Sequence, residues 1–192
     1  MAKKKSAGKT ALDFSTAFHY PFNRWKGLLN ILWIFLPIFG WFALFGYGVR
    51  IIQEFTAGKF KKLPTMSFGD DMKLGFFMFL KAIPFILLIT IVLGALYVVS
   101  PALESVIEII LSILVFPMLG IHFANKQTVG ALFEFRIVNE VFSNLGDYLF
   151  AFLKEIGLAI VFLIMSIILI GIPASMFTQN IFFADFYRRR IK

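Results

Sequence analysis

The sequence contains no cysteine, only two histidines and few charges: 16% of its 192 residues are Asp, Glu, Lys or Arg. Soluble proteins carry about 25%. Without cysteine there are no disulfides, no thiol chemistry and no cysteine-ligated metal. The histidines, His19 and His122, stand in no HExxH pattern and have no carboxylate at ligand spacing; both read as interfacial packing residues. Gly8-Lys9-Thr10 matches the end of a phosphate-binding loop, but Lys3 occupies the position of its first glycine. None of the fourteen glycines stands four residues from another, so the GxxxG pairing motif is absent, and Gly171 with Ser175 gives only a small-xxx-small pair. No catalytic, cofactor-binding or metal-binding residue is assigned, no cofactor is expected, and the chain reads as a non-enzyme.

What is abundant is apolar. Hydrophobic residues make up 59% of the chain and 26 residues are phenylalanine; the mean hydropathy is +0.84. Such a composition suits a chain solvated by lipid and excludes both an ordinary soluble enzyme and disorder. A spanning helix needs about 20 mostly apolar residues. Four stretches lack charge over such a length or nearly so: Gly27–Val49, Ala82–Leu103, Ile109–Asn125 and Ile156–Ala184. A secretory signal peptide is not expected. Lys3, Lys4, Lys5 and Lys9 suit one, but polar and aromatic residues separate them from the first apolar run.

A net charge of +8 would suggest nucleic acid in a soluble protein; here it poses a question of sidedness, and no nucleic-acid partner is expected. If each apolar stretch crosses once, the 19 Lys and Arg residues divide almost evenly between the two sides. If the first and last stretches instead enter and return on one side, while the middle two form a spanning pair, every Lys and Arg falls on that side. The remaining loop, near Ser100–Glu108, has none. The positive-inside rule favours the second arrangement.

Breaks stand where that arrangement needs them. Pro37-Ile38-Phe39-Gly40 interrupts the first stretch and Gly171-Ile172-Pro173 the last; proline removes a helix hydrogen bond and glycine permits unusual dihedrals. The arms of the first would be ~15 Å long, half a bilayer. The competing reading is a pair of proline-kinked single spans, which neighbouring helices tolerate. Trp33 and Trp41 flank the first turn, and indoles prefer the interface, which counts against the hairpin. The middle pair is plainer: Ser100-Pro101 reads as an N-cap followed by a first-turn proline, and Pro84 and Pro117 are expected to kink the two helices.

Two segments are too polar to span and too apolar to be loops. Asp13–Lys26 mixes aromatics with polar residues, and Gly130–Lys154 repeats apolar residues at spacings of three and four, with a break near Ser143-Asn144-Leu145-Gly146. They read as amphipathic interfacial helices or as caps on the membrane helices. Each precedes one broken stretch, and both stretches close on an aromatic run with Tyr and Arg (Tyr47 then Arg50, Tyr187 then Arg188), a hint of two related halves. The expected fold is therefore all-α and polytopic: a central spanning pair flanked by two broken or re-entrant hairpins and amphipathic helices. Residues 1–12 form a disordered basic tail and 13–192 a single membrane domain.

Ionisable groups near the membrane are the usual functional candidates. Lys81 lies ~30 Å along its helix from the Pro101 turn and Glu108 only ~10 Å, so the two cannot meet. Lys81 is expected to snorkel to the headgroups. Glu104 and Glu108 share a helix face and read as its solvated end rather than a cation site. Asp70-Asp71 read as carboxylates at a helix N-terminus. Asn30, Thr90, Ser112, Ser166, Ser175, Thr178, Gln179 and Asn180 are the few polar groups available to a transport path.

The order of several motifs resembles a family of small bacterial and archaeal integral membrane proteins catalogued as a domain of unknown function. They are Asp13-Phe14, Tyr20-Pro21-Phe22 and Trp25; Leu36-Pro37-Ile38; Gly46-Tyr47 with Arg50-Ile51-Ile52; Leu63-Pro64; Gly130-Ala131-Leu132-Phe133; Gly146-Asp147-Tyr148-Leu149; and Tyr187-Arg188. The resemblance implies a multi-pass membrane protein and brings no catalytic residues. This chain departs from it at Thr65-Met66-Ser67-Phe68, where members are more acidic and carry tryptophan. The expected function is that of a membrane-embedded interaction, assembly or bilayer-shaping component of the cell membrane. Its termini would be cytoplasmic, its basic residues on anionic headgroups, and its partner another membrane protein or a second copy. A transporter or channel subunit, forming a path on oligomerisation, is the alternative.

Overall fold

The structure is a computed structural model that describes residues 10–192. Among these residues there are helices and no strands. Helix α1 (Phe14–His19) starts at Asp13, whose carboxylate accepts the Thr16 N–H at 2.8 Å, an N-cap of the usual kind. A 3-10 turn (Phe22–Arg24), α2 (Trp25–Leu28) and a seven-residue 3-10 helix (Leu29–Phe35) follow. The chain then reverses across Leu36–Ile38, with Ile38 at φ 65°, and α3 (Phe39–Thr56) runs back. The outgoing arm is thus a 3-10 helix, reaching ~14 Å at ~2.0 Å per residue.

Gly40 permits this reversal, because a Cβ there would collide with the Trp33 carbonyl. Trp41 Nε1 donates to the Ile34 carbonyl at 3.0 Å and closes the turn. At the open end, Asn23 Nδ2 donates to the Lys61 carbonyl at 2.7 Å and Arg24 Nη1 to Thr65 Oγ1 at 2.7 Å. The chain before the hairpin and the linker after it therefore lie side by side.

Helix α4 (Phe68–Val99) is 32 residues long and remains one element through Pro84. Ser100 caps α5 (Pro101–Ile110), its hydroxyl accepting the Leu103 N–H at 3.3 Å, as its position before Pro101 predicts. A π turn (Leu111–Val115) joins α5 to α6 (Phe116–Lys126). Pro117 has no N–H to give the Ile113 carbonyl one turn earlier. The Tyr148 hydroxyl donates to that carbonyl instead. The expected kink at Pro117 is taken up as a π turn with a side chain supplying the lost donor.

After a 3-10 turn (Val129–Phe133), α7 (Arg136–Ser143) buries Ile137, Val138 and Val141. The chain breaks at Asn144, and α8 runs from Leu145 to Met165. Residues 145–154, grouped above with the interfacial segment, are thus the first turns of a long helix. The second reversal occupies Ser166–Ile170, with Leu169 at φ 63°, and α9 begins at Gly171 (Gly171–Thr178). It precedes the Gly171-Ile172-Pro173 break expected from the sequence. Gly171 is needed for a different reason: a Cβ would collide with the Phe162 carbonyl as α9 folds back on α8. A left-handed Asn180 (φ 67°) then leads into α10 (Ile181–Arg190). The hinted counterpart of α3 is therefore two helices, α9 and α10.

Three elements are long and apolar enough to cross a bilayer: Phe68–Val99, Pro101–Lys126 and Leu145–Ile168. The two reversed segments meet through Tyr47 on Phe177 (5.3 Å between ring centroids), and α1 packs its Phe18 on Phe162 of α8 (5.7 Å). Tyr20, Tyr47, Phe55, Tyr148, Phe162, Phe182 and Phe186 are fully buried around that contact. Residues 1–9, part of the expected disordered tail, lie outside the described residues. Leu12, assigned to the same tail, is buried; its N–H reaches Asp185 Oδ2 at 3.0 Å and its carbonyl accepts Lys154 Nζ at 2.9 Å.

Candidate functional site

Much of the surface is apolar. Helix α4 buries only Asp71, Gly75, Met78 and Phe85, and α5 buries nothing. The first reversal exposes Phe35 at 81% with Trp33, Leu36, Ile38, Phe39 and Trp41; the second exposes Ile167 at 84% with Leu163, Ile164, Ile168 and Leu169. Patches of this extent mark contact with lipid or with another protein.

Charged side chains gather away from both tips. Asp185, 2% exposed, accepts Arg189 Nε at 2.9 Å and also binds Arg188. Arg189 and Arg190 reach Asp147 at 2.7 and 2.8 Å. This network ties the last helix to the first turn of α8 and to the segment at Leu12. Arg50 on α3 meets the buried Asp71 of α4 at 2.6 Å, and Asp71 also accepts the Ser67 N–H at 2.8 Å. Asp13 is held below its ordinary carboxylate pKa by the Thr16 hydroxyl and N–H.

A third cluster joins α6 to α10. His122 Nδ1 lies 2.6 Å from the Tyr187 hydroxyl, and His122 Nε2 lies 3.1 Å from Glu134 Oε2. A carboxylate only accepts, so in the neutral imidazole Nε2 carries the proton and Nδ1 accepts from tyrosine. Lys126 Nζ completes the group at 2.8 Å from Glu134. Hydrogen bonds from Lys126 and His122 hold the Glu134 carboxyl below its usual pKa, while burial pushes the Tyr187 phenol up. The cluster borders a polar cleft of about 550 Å³ that Arg136, Asn139, Glu140 and Arg190 also line.

Beside the second reversal, a groove of about 730 Å³ between α8 and α9 is lined by apolar residues with Glu155, Ser166, Ser175, Thr178 and Gln179. Glu155 accepts the Asn180 N–H at 2.7 Å and the Phe182 N–H at 3.1 Å. It thereby caps α10, whose first amides have no partner within the helix.

The singled-out residues divide accordingly. His122 is drawn into a polar cluster instead of mere interfacial packing, whereas His19 is exposed and bonds the Ser15 carbonyl on its own helix. Lys81, expected to snorkel to the headgroups, donates to the Gln127 carbonyl at 2.9 Å. Glu104 and Glu108 both lie on α5, Glu104 in its first turn. Of the few polar groups weighed for a path, Ser166, Ser175, Thr178 and Gln179 share one groove, while Asn30, Thr90 and Ser112 lie elsewhere. Among the described residues no group of three or more His, Asp or Glu side chains could hold a metal.

Sequence reasoning missed Arg50–Asp71, the partners of His122 and the role of Glu155. The available signal was burial: a charge inside an apolar pattern requires a partner. Which partner depends on packing between distant segments.

A family model described as "Protein of unknown function (DUF4013)" matches residues 29–172, and the chain belongs to that family. No curated protein and no solved structure matches it.

Proposed function

We propose that this DUF4013 protein is a bilayer-embedded interaction and shaping component. It spans with α4 and α5–α6 and inserts its two reversed segments into one leaflet only. The hydrogen bond between Asn23 and Lys61 carries the reading: it returns the chain, after the first reversal, to the level from which it left. The second segment gives parallel support. Asn180 is bonded to Glu155, so the tip at Ile168 rises only ~20 Å beyond Glu155, at 1.5 Å per residue, short of the ~30 Å hydrocarbon core. In this arrangement the basic residues stay on one face and both termini are cytoplasmic. Four helical arms crowd one leaflet against two spanning helices in the other, a wedge that favours curvature.

The absence of native cysteine makes the test direct. Lys61→Cys, Lys192→Cys and Ser105→Cys, each introduced singly, are exposed to a membrane-impermeant maleimide in sealed, oriented vesicles. Positions 61 and 192 should label from the same side and 105 from the opposite one. Labelling of 61 and 192 from opposite sides defeats the reading. Reconstituted protein should also raise the share of highly curved vesicles, and unchanged vesicle curvature would remove the shaping role.

A second reading, a transporter subunit, is favoured by one observation: Glu155, Ser175, Thr178 and Gln179 share a groove open to an apolar surface. Such groups in a membrane mark solute paths. Solute flux into proteoliposomes that Glu155→Gln abolishes, without loss of folded protein, would select it.

A further inference from the structure

The linker between α3 and α4 folds back beside the open end of the first hairpin. It is pinned by Asn23 on the Lys61 carbonyl, Arg24 on Thr65 and the Tyr47 hydroxyl on the Pro64 carbonyl at 2.9 Å. Together they wall a cavity of about 560 Å³ whose charged lining is Arg24, Arg50, Lys59, Lys61, Lys62 and Glu54. The single carboxylate is already engaged, since Glu54 faces Lys59 at 3.7 Å. Arg50 spends one nitrogen on Asp71, and its Nε–H is buried with no partner in the protein. Among the described residues neither Lys61 nor Lys62 has a carboxylate within salt-bridge distance.

Like charges gathered around one cavity repel one another, and an anion in the space relieves that repulsion. Buried donors without partners are rare in folded proteins. We propose that this cavity binds a phosphate-bearing anion. Two guanidinium groups supply the forked donors that match phosphate oxygens, the lysines add point charges, and the Thr65 hydroxyl adds a donor. The volume exceeds that of phosphate alone and leaves room for a substituent. Trp25 lies exposed beside Lys26, 6.0 Å from its ammonium, a residue type suited to the headgroup layer. The inference deepens the proposed function, resting on it only where the phosphate belongs to a lipid headgroup; a free phosphate compound offers the same chemistry.

The experiment uses the full chain in zwitterionic detergent, where binding does not depend on which side of a membrane the cavity faces. Its failure is therefore distinct from a failure of the labelling test above. Native mass spectrometry follows retention of phosphatidylglycerol against phosphatidylcholine, and calorimetry follows pyrophosphate as a soluble probe. Preferential retention of phosphatidylglycerol, weakened about fivefold by Lys61→Gln or by Lys62→Gln and unaffected by Lys73→Gln, identifies a headgroup site. Pyrophosphate binding with the same response to substitution, and no preference between the lipids, identifies a soluble phosphate ligand. Both variants alter exposed side chains, and an Arg24→Gln variant provides a third measurement. Equal retention of the two lipids without pyrophosphate binding, or equal weakening by Lys73→Gln, overturns the proposal.

Discussion

Gly46 on α3 and Gly75 on α4 are the point at which two helices touch backbone to backbone. A Cβ at Gly46 would collide with the Asp71 carbonyl, and one at Gly75 with the Phe42 carbonyl. The close approach uses one glycine from each helix, so no pair of glycines within one helix was needed. Small residues supply this geometry in membrane helices, where lipid gives helices no hydrophobic reason to associate. Gly46→Ala and Gly75→Ala are each expected to cost at least ~1–3 kcal/mol through overpacking. Gly48→Ala, which points into open space on the same helix, should be neutral or stabilising by up to ~1 kcal/mol. Thermal unfolding in detergent separates the two outcomes; equal midpoints for all three variants would remove the contact.

Arg50 and Asp71 join the same two helices by charge. Asp71 is 2% exposed but Arg50 is 31% exposed, so solvent screens part of the pair. Asp71→Asn should cost ~1–3 kcal/mol, below the 3–5 kcal/mol typical of breaking a fully buried pair. Asp71→Asn combined with Arg50→Gln should cost less than the two singles added together. Strict additivity in that cycle would show that the pair is not coupled.

Tyr148 and Pro117 are expected to be coupled through the Ile113 carbonyl. Tyr148→Phe removes the hydroxyl that donates to that carbonyl and should cost ~1–3 kcal/mol. In a Pro117→Ala background the new N–H can take the same carbonyl, so the cost of Tyr148→Phe should fall. An unchanged cost would mean that the hydroxyl matters for another reason.

Glu134 predicts an acid dependence. Its folded pKa lies below the ordinary 4.5, so the native state binds the proton less tightly than the unfolded chain does. Its contribution is then complete above 4.5 and lost as pH falls through the folded value. The gap in thermal midpoint between wild type and Glu134→Gln should be present at about pH 7 and shrink as the pH falls below the ordinary 4.5. A gap that widens on acidification would contradict the assignment.

The three tryptophans report on the first hairpin, because Trp25, Trp33 and Trp41 all lie in it or just before it. Trp41 gives its N–H to the Ile34 carbonyl, so the indole no longer needs the interface to satisfy that donor. This answers the objection raised by its place beside the turn. In single-tryptophan variants, lipids brominated deep in the acyl chain should quench Trp33 and Trp41 more strongly than Trp25. Strongest quenching of all three by shallow bromines would place the hairpin flat on the surface.

Helix positions, the reversal at Pro37 and the Ser100-Pro101 turn were legible because they arise from local effects. A missing N–H, an N-cap and a run of apolar residues act within a few residues of themselves. The second reversal was displaced to Ser166–Ile170 because Gly171 serves a contact with Phe162 that no local pattern announces. The 3-10 arm at Leu29–Phe35 was equally hidden, since its apolar residues suit either helix type.

By itself the sequence determined the helical class and the apolar segments long enough to cross a membrane. A backbone surrounded by lipid must satisfy its own hydrogen bonds, and long runs short of charge and rich in phenylalanine suit helices, which do so locally. Tertiary structure alone decided which distant groups come together. Leu12 reaches Asp185, His122 reaches Tyr187, and Arg24 joins Arg50 around one cavity. These groups are brought together by the close approach of glycines and aromatic rings from distant segments, and electrostatic attraction between side chains acts over a few ångströms that only the folded chain defines.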